Sequence, residues 1–336
     1  MFHQGLPHYK FMALQRAYFE GFVIMNVLVT GCNGFVGSAI LNNLENIADV
    51  QVTGVCRDRA YTAKSPKKVV YVSDLSLIND QSTILQSTDI IIHTAGKAHV
   101  MRKNSIDARD YFNVNTHLTL KLARMAANSG VKRFIYLSST KVFGDPVSPF
   151  FCFNSRSPCN PADAYGESKL QAELGLAVIA KETGLEIAII RPPLVYGQGV
   201  KGNMAMLSKL VRSNFPLPFR ALSNNRRSMV SIDNLLDLVK HCLSNPDAIG
   251  QTFLVSDDHD LSTFQIISLF KKYYGSKSIV FPVPEYILYS MGRVTGTTSK
   301  IKRLVESSIV DIEHTKKTLN WSPPQSVENA FKQMID

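Results

Sequence analysis

The sequence lacks any apolar run approaching the eighteen or more residues that a membrane-spanning helix needs. Its apolar runs at Ile90–Ile92 and Ile187–Ile190 have the length of buried strands. Cysteine is sparse. The five cysteines (Cys32, Cys56, Cys152, Cys159 and Cys242) show no metal-ligand spacing, and the neighbouring Cys152 and Cys159 have no second pair or nearby histidine. That pattern excludes a disulfide framework, and it predicts no metal site and free thiols in a reducing, cytoplasmic setting. Blocks of like charge are missing as well. The net charge is +10, but the Lys and Arg residues are dispersed rather than gathered in one stripe, so nucleic acid is not an expected partner. Short clusters such as Arg226-Arg227 and Lys300–Arg303 suit a small polyanion. The stretch before Met25 has neither a continuous apolar core nor a small-residue cleavage site, which excludes a secretory signal. Residues 1–24 are expected to be an extension ahead of a natural start at Met25. No internal repeat or low-complexity segment is present.

What the chain does have is alternation. Met25–Thr30, Val50–Cys56, Val69–Val72, Asp89–His93, Phe134–Ser138 and Glu186–Arg191 read as six strands. Ser38–Leu44, a segment from Ala108 to Asn128, and Ala164 to Thr183 read as helices between them. Strands alternating with helices predict an α/β fold with a parallel sheet covered on both faces, a Rossmann-type doubly wound architecture. Beyond Pro192 the composition shifts. Proline-rich turns (Pro216, Pro218, Pro282, Pro284, Pro323, Pro324) separate short helices and isolated strands such as Gln251–Val255. The expected organisation is a nucleotide-binding domain over residues 25–191, carrying the catalytic residues, and a smaller C-terminal α/β substrate lobe over 192–336.

Gly31-Cys-Asn33-Gly34-Phe35-Val36-Gly37 directly follows the first strand and opens a helix. The first glycine permits a tight turn, the second lets backbone approach a pyrophosphate, and the third lets helix and strand pack closely. The spacing Gly-x-x-Gly-x-x-Gly differs from the Gly-x-Gly-x-x-Gly of ordinary dehydrogenases. It resembles the fingerprint of extended short-chain dehydrogenases of the NAD-dependent epimerase/dehydratase family, and the resemblance runs from Met25 to the C-terminus. The end of the second strand decides between cofactors, because an acid there bonds the ribose while a base accepts a 2′-phosphate. Here the position is Cys56, followed by Arg57, with Asp58 one or two places late. NADP(H) is therefore favoured over NAD(H). The resemblance further implies cofactor contacts at Asp74 and Leu75, at Ala95 and Gly96, at Asn115 and at Pro192.

Tyr165-Gly-Glu-Ser-Lys169 places a phenol and an amine one helical turn apart. A free tyrosine titrates near 10, and a nearby cation, here Lys169 together with an oxidised nicotinamide ring, should make it more acidic. Leu137-Ser138-Ser139-Thr140-Lys141-Val142-Phe143-Gly144 resembles the family's Ser-Ser-x-x-Val-Tyr-Gly string, which puts the substrate-bonding hydroxyl on Ser139. Ser139, Tyr165 and Lys169 are the expected catalytic triad, with Tyr165 and Lys169 also lining the cofactor and Ser139 and Tyr165 the substrate. Thr140 and Lys141 stand where the dehydratase branch carries an Asp-Glu pair, so elimination of water is not expected.

Arg191-Pro-Pro-Leu-Val-Tyr-Gly197 resembles the family's turn into the substrate lobe, although Leu194 replaces an Asn common in sugar-nucleotide enzymes. Asn203 and Arg227 match substrate-diphosphate positions, and a guanidinium fork suits a pyrophosphate. Trp321 reads as core. The strings Lys141-Val-Phe-Gly144, Val200-Lys-Gly-Asn203 and Gly250–Ser256 resemble proteins of bacterial O-antigen and capsule loci. The resemblance implies chemistry at C4 of a nucleotide sugar, with a UDP-sugar as partner and a homodimer as the common assembly. Cys56-Arg57 tilts the expectation to NADPH-dependent reduction of a UDP-4-keto-6-deoxy-N-acetylhexosamine. A UDP-glucose or UDP-N-acetylglucosamine 4-epimerase with tightly bound NAD is the alternative. A non-catalytic NADP(H)-sensing protein is a third reading, disfavoured by the retained Tyr-Lys pair.

Overall fold

The computed structural model describes residues 24–64, 68–73, 75, 78, 82–97, 108–148 and 150–335. The N-terminal extension expected at residues 1–24 therefore lies, apart from Ile24, outside the described residues. The strands of the central sheet are β1 (Met25–Thr30), β2 (Val50–Cys56), β3 (Val69–Tyr71), β4 (Ile90–His93), β5 (Arg133–Leu137), β6 (Glu186–Arg191) and β7 (Thr252–Leu254). They run parallel in the order β3-β2-β1-β4-β5-β6-β7. This is the doubly wound order, in which the chain starts at β1, works outward to β3, and then returns to build the other half from β4. The crevice between β1 and β4, where the direction of winding reverses, is where such sheets place ligands.

The strands are apolar along their whole length because both faces are covered. Ile90–His93 and Arg133–Leu137 are buried at every position. On one face Val27, Val29, Ile92, Ile135 and Ile190 pack with helices α1 (Phe35–Leu44) and α5 (Ile232–Ser244). On the other, Leu28, Ile91, Phe134 and Tyr136 pack with α2 (Leu118–Asn128) and α3 (Ala164–Thr183). Trp321 belongs to the first core and donates its indole N–H to Asp237 at 2.8 Å, as the core reading requires.

Two elements differ from the sequence expectation. Gln251–Val255 reads as an isolated strand of the C-terminal lobe. Instead Thr252–Leu254 is β7, paired to β6 at the edge of the main sheet. The segment from 108 to 128 is not one uniform α-helix, because Phe112–His117 winds as a π-helix before α2 begins. Such wider turns turn up at functional sites more often than elsewhere, and this one carries Asn115. The C-terminal lobe has its own core, built on Tyr196, Leu207, Val211, Leu261, Phe270 and Phe331. Around it stand α4 (Asn203–Arg212), a helix at Thr263–Tyr274, α6 (Glu285–Val294), α7 (Thr298–Val305) and the closing helix Val327–Ile335.

Candidate active site

At the carboxyl end of β1, Gly31 has φ of +72°, and a Cβ there would lie 2.7 Å from the backbone nitrogen of Ala95. A Cβ on Gly37 would lie 2.3 Å from the Gly31 carbonyl oxygen and 2.6 Å from the Thr94 hydroxyl. Glycine is required at both places for steric reasons alone, since the loop, the start of α1 and the exit of β4 are in backbone contact. Gly31 N–H donates to the Val55 carbonyl at 2.9 Å, which ties the loop to β2. Gly34 precedes α1 and no side chain caps that helix. Its first N–H groups are left to an external acceptor at the open edge of the sheet, beside the exposed Asn33 and Gly34 and the half-buried Phe35 and Val36. The cradle fits a dinucleotide pyrophosphate.

The adenosine end is set by β2. Cys56 is buried, and its thiol faces the Asp58 carbonyl at 3.6 Å and the Thr62 hydroxyl at 3.5 Å. The Asp58 carboxylate accepts from the N–H groups of Ala60 at 2.9 Å and Tyr61 at 3.2 Å, so it caps the short helix Arg59–Lys64. Arg59 lies over the Tyr71 ring at 4.5 Å. Arg57 is exposed. Leu75 packs in the core with Leu28, Val55 and Leu85, and Asp74 lies outside the described residues. Ala95 and Gly96 follow β4, with Gly96 exposed. Pro192 follows β6 and is buried, and its carbonyl accepts the Thr140 N–H at 3.1 Å.

Helix α3, which carries the candidate residues Tyr165 and Lys169, starts where the Asp163 side chain accepts the Gly166 N–H at 2.8 Å. Asp163 is thus its N-cap, and Tyr165 falls in the first turn. Ser139 leaves β5 with an extended backbone, and its hydroxyl accepts the Lys141 N–H at 3.2 Å, starting the short turn Thr140–Phe143. The Ser139 hydroxyl lies close enough to the Tyr165 phenol to lower its pKa. One turn along, the Lys169 ammonium donates to the Leu137 carbonyl at 2.8 Å and stands 4.6 Å from the centre of the Tyr136 ring. A Cβ on Gly96 would approach that ammonium to 3.5 Å. The chain therefore brings Gly96, Asn115, Ser139, Tyr165 and Lys169 to one place at the carboxyl edge of the sheet.

Burial pushes the Tyr165 phenol up to about 12, with the Ser139 hydroxyl pulling the other way. Burial also pulls the Lys169 ammonium down to about 8. In the protein alone desolvation dominates at the phenol, and a more acidic phenol requires positive charge at the site, the part the expectation gives to Lys169 together with an oxidised nicotinamide ring.

Behind the triad lies a network of which motif reading found only Asn115. Asn115 is fully buried on the π-turn. Its amide accepts the Lys97 N–H at 2.7 Å, donates to the Lys97 carbonyl at 3.2 Å, and donates to the Ser168 hydroxyl at 3.0 Å. Ser168 in turn donates to the Tyr165 carbonyl at 2.8 Å. Glu173, the next step after Tyr165 and Lys169 on the same face of α3, forms a buried ion pair with Arg191 at 2.5 Å. It also accepts a short hydrogen bond from Ser138, next to Ser139. The i, i+4 continuation from Lys169 to Glu173 was the available signal. His93 is buried between the Thr30 hydroxyl at 2.7 Å and the Thr119 hydroxyl at 2.9 Å, and burial lowers its imidazole to about 3.

The two substrate-lobe residues are placed differently. Asn203 opens α4, and its amide oxygen is buried with no hydrogen-bond partner. The Arg227 guanidinium donates to the carbonyls of Arg303, by a short bond, and Glu306, at 2.8 Å. It thereby holds the C-terminal end of α7, and burial lowers it to about 10. Among the described residues no cluster of His, Cys, Asp and Glu could hold a metal, and no helix is long and apolar enough to cross a membrane.

Residues 27–256 match the model of the NAD dependent epimerase/dehydratase family. The chain belongs to that family. It is an enzyme of the extended short-chain dehydrogenase type, as the glycine loop and the Tyr-Lys pair imply. The UDP-glucose 4-epimerase of Vibrio cholerae is 39% identical over 309 residues, covering 92% of this chain and 94% of that one. The N-acetyl-alpha-D-glucosaminyl-diphospho-ditrans,octacis-undecaprenol 4-epimerase of Escherichia coli O157:H7 is 26% identical over 81% of each chain. The crystal structure of the UDP-glucuronic acid 4-epimerase of Bacillus cereus with UDP-glucuronic acid and NAD superposes with a TM-score of 0.74. It covers 93% of this chain and 98% of its own at 20% identity, a likeness of fold.

Proposed function

We propose that this family member is a 4-epimerase of a UDP-hexose or UDP-N-acetylhexosamine, working with tightly held NAD. The observation that carries the reading is the Ser139–Tyr165–Lys169 geometry in a chain 39% identical, over nearly its full length, to a protein named UDP-glucose 4-epimerase. Sequence reasoning put the 4-keto reductase first, and the similarity to named epimerases reverses that order.

In this reading Ser139 holds O4 of the sugar beside Tyr165, and the phenol oxygen takes the proton of the 4-hydroxyl. Bound NAD⁺ would supply the hydride acceptor at C4, and its positive ring the charge that brings the phenol within reach of neutral pH. Tyr165 keeps the proton while the sugar turns its other face, then returns it to O4. Lys169, fixed on the Leu137 carbonyl, holds its charge one turn from the phenol. Asn203 and Arg227 bind the diphosphate in this proposal, with Arg227 exchanging carbonyl oxygens for phosphate oxygens. Both are donors suited to an anion.

The test is direct. Purified protein, with no added nucleotide, should interconvert UDP-N-acetylglucosamine and UDP-N-acetylgalactosamine, or UDP-glucose and UDP-galactose, and should release NAD on denaturation. NADPH oxidation that depends on a UDP-4-keto-6-deoxy sugar, without epimerisation, would defeat the proposal. The reductase reading keeps one specific support, the buried Cys56 and exposed Arg57 where an NAD-binding acid is expected. Arg57→Ala should then weaken NADPH relative to NADH. A homodimer belongs to the same proposal. Leu174 and Val178, one turn apart on α3, are exposed apolar residues on a helix otherwise packed against the sheet, and light scattering measures the assembly.

A further inference from the structure

Seven of the fourteen large apolar side chains exposed among the described residues lie in one part of the C-terminal lobe: Phe215, Ile279, Phe281, Tyr286, Ile287, Met291 and Val294. The local structure brings them close in the chain. Residue 217 bridges to residue 280, and α6 starts five residues later. Helix α6 buries only Leu288 and Gly292 against its neighbours. Ile287, Met291 and Val294 recur at i, i+4 and i+7, so they form one stripe along the helix beside the buried one. Val294 is 89% exposed and Tyr286 72% exposed. Soluble surfaces scatter such residues singly, and a gathered set marks an interaction site.

The same stretch of chain has a local excess of basic residues. Between residues 271 and 303 the sequence has seven basic residues (Lys271, Lys272, Lys277, Arg293, Lys300, Lys302 and Arg303) and one acidic residue, Glu285, a net +6 out of the chain's +10. Of these, Lys272, Lys277 and Arg293 are exposed. A second copy of this chain would bring an equally positive face against it, which opposes self-association here. An exposed apolar helix stripe, with Arg293 on the helix and further Lys and Arg on the flanking segments, matches the layered chemistry of an anionic bilayer, phosphate above hydrocarbon.

We infer that α6 and its basic flank dock this protein on an anionic membrane surface, with Ile287, Met291 and Val294 entering the acyl boundary and Lys277 and Arg293 meeting lipid phosphates. The hairpin is tied to the candidate active site. Helix α7 follows α6 directly, its Lys302 pairs with Asp145 beside the Ser139–Gly144 segment at 2.9 Å, and its end is held by Arg227. Docking at α6 would therefore place the substrate mouth near the lipid headgroups. The inference is independent of which reaction occurs at Tyr165.

The experiment is co-sedimentation of the full chain with phosphatidylglycerol vesicles and with phosphatidylcholine vesicles. Binding should be at least about tenfold tighter to the anionic vesicles and should weaken with salt. The triple variant Ile287→Ser/Met291→Ser/Val294→Ser and the double variant Lys277→Glu/Arg293→Glu should each lose about tenfold or more while keeping their Tm and their turnover of soluble substrate. Equal binding to both vesicle types, no binding, or binding unchanged in both variants overturns the inference. So does a change of oligomeric state in the triple variant by light scattering, since that would make the stripe an interface between copies.

Discussion

The sheet half and the C-terminal lobe treat their functional side chains in opposite ways. In the sheet half, Ser139, Lys169 and Asn115 are each fixed by hydrogen bonds to neighbouring groups. Ser139 is held by the Lys141 N–H, Lys169 by the Leu137 carbonyl and Asn115 by Lys97 and Ser168. In the lobe, the Asn203 amide oxygen has no partner and the Arg227 guanidinium is spent on carbonyls. A site that moves protons needs heavy atoms fixed to fractions of an ångström. A site that holds a diphosphate needs donors that can be redirected, and of these two groups only the Arg227 guanidinium is one. On the proposed function the difference assigns chemistry to the first half and adjustment to the second, and mutations should separate the two.

The largest effect belongs to the phenol. Tyr165→Phe should lower kcat by about 10²–10⁴-fold, the usual contribution of a positioned acid–base group, with KM and Tm nearly unchanged. Steady-state kinetics beside a thermal melt checks this, and an intact kcat would remove the shared mechanism of every enzymatic reading.

Next comes the support behind it. Glu173→Gln leaves the buried Arg191 without its counter-charge, and breaking such a pair costs about 3–5 kcal/mol. Urea unfolding should show that loss. If the sheet half is as rigid as its hydrogen bonds imply, kcat should fall with little change in KM, because Ser138 loses its ionised acceptor next to Ser139. Stability lost with kcat intact would make Glu173 a purely structural group.

A third effect is read in acid. His93 is pulled down to about 3 by burial, helped by the nearby Lys169 charge. The unfolded chain, near the ordinary value of 6.5, then binds more protons than the folded one between those limits. Stability is therefore full above about 6.5 and falls as pH drops toward 3. His93→Asn, whose side chain carries no charge, should be less stable at neutral pH but show a flatter acid limb when Tm is followed against pH. A parallel limb would place the acid sensitivity elsewhere.

Much of the sheet half was legible because its chemistry is tied to backbone register. Gly31 and Gly37 are fixed by contacts under 3 Å, and Tyr165 and Lys169 by one helical turn. What was not legible depends on contacts distant in sequence. Thr252–Leu254 joins the main sheet because β6 has a free edge to pair with, and nothing local marks a three-residue strand as belonging to either half. The π-turn at Phe112–His117 leaves no mark in apolar periodicity, and neither Glu173 nor Arg191 shows in isolation that 18 positions of chain separate the two halves of a buried ion pair. The burial of Tyr165 was hidden for the same reason, since it is a property of the assembled site and not of the Tyr-x-x-x-Lys spacing.

The smallest effect tests the lobe side of the comparison. Arg227→Lys keeps the charge but loses the planar fork that reaches both the Arg303 and Glu306 carbonyls. If Arg227 turns from those carbonyls to the diphosphate during binding, KM for a UDP-sugar should rise about tenfold, or about 1.4 kcal/mol, with kcat unchanged. If it only secures the end of α7, the melt should shift while KM stays put. Fluorescence binding of UDP alone separates the two, because UDP carries the diphosphate without the reacting sugar. A UDP affinity that falls in parallel with the rise in KM would assign the arginine to the substrate, and would show that the lobe gives up an internal hydrogen bond each time it takes one up.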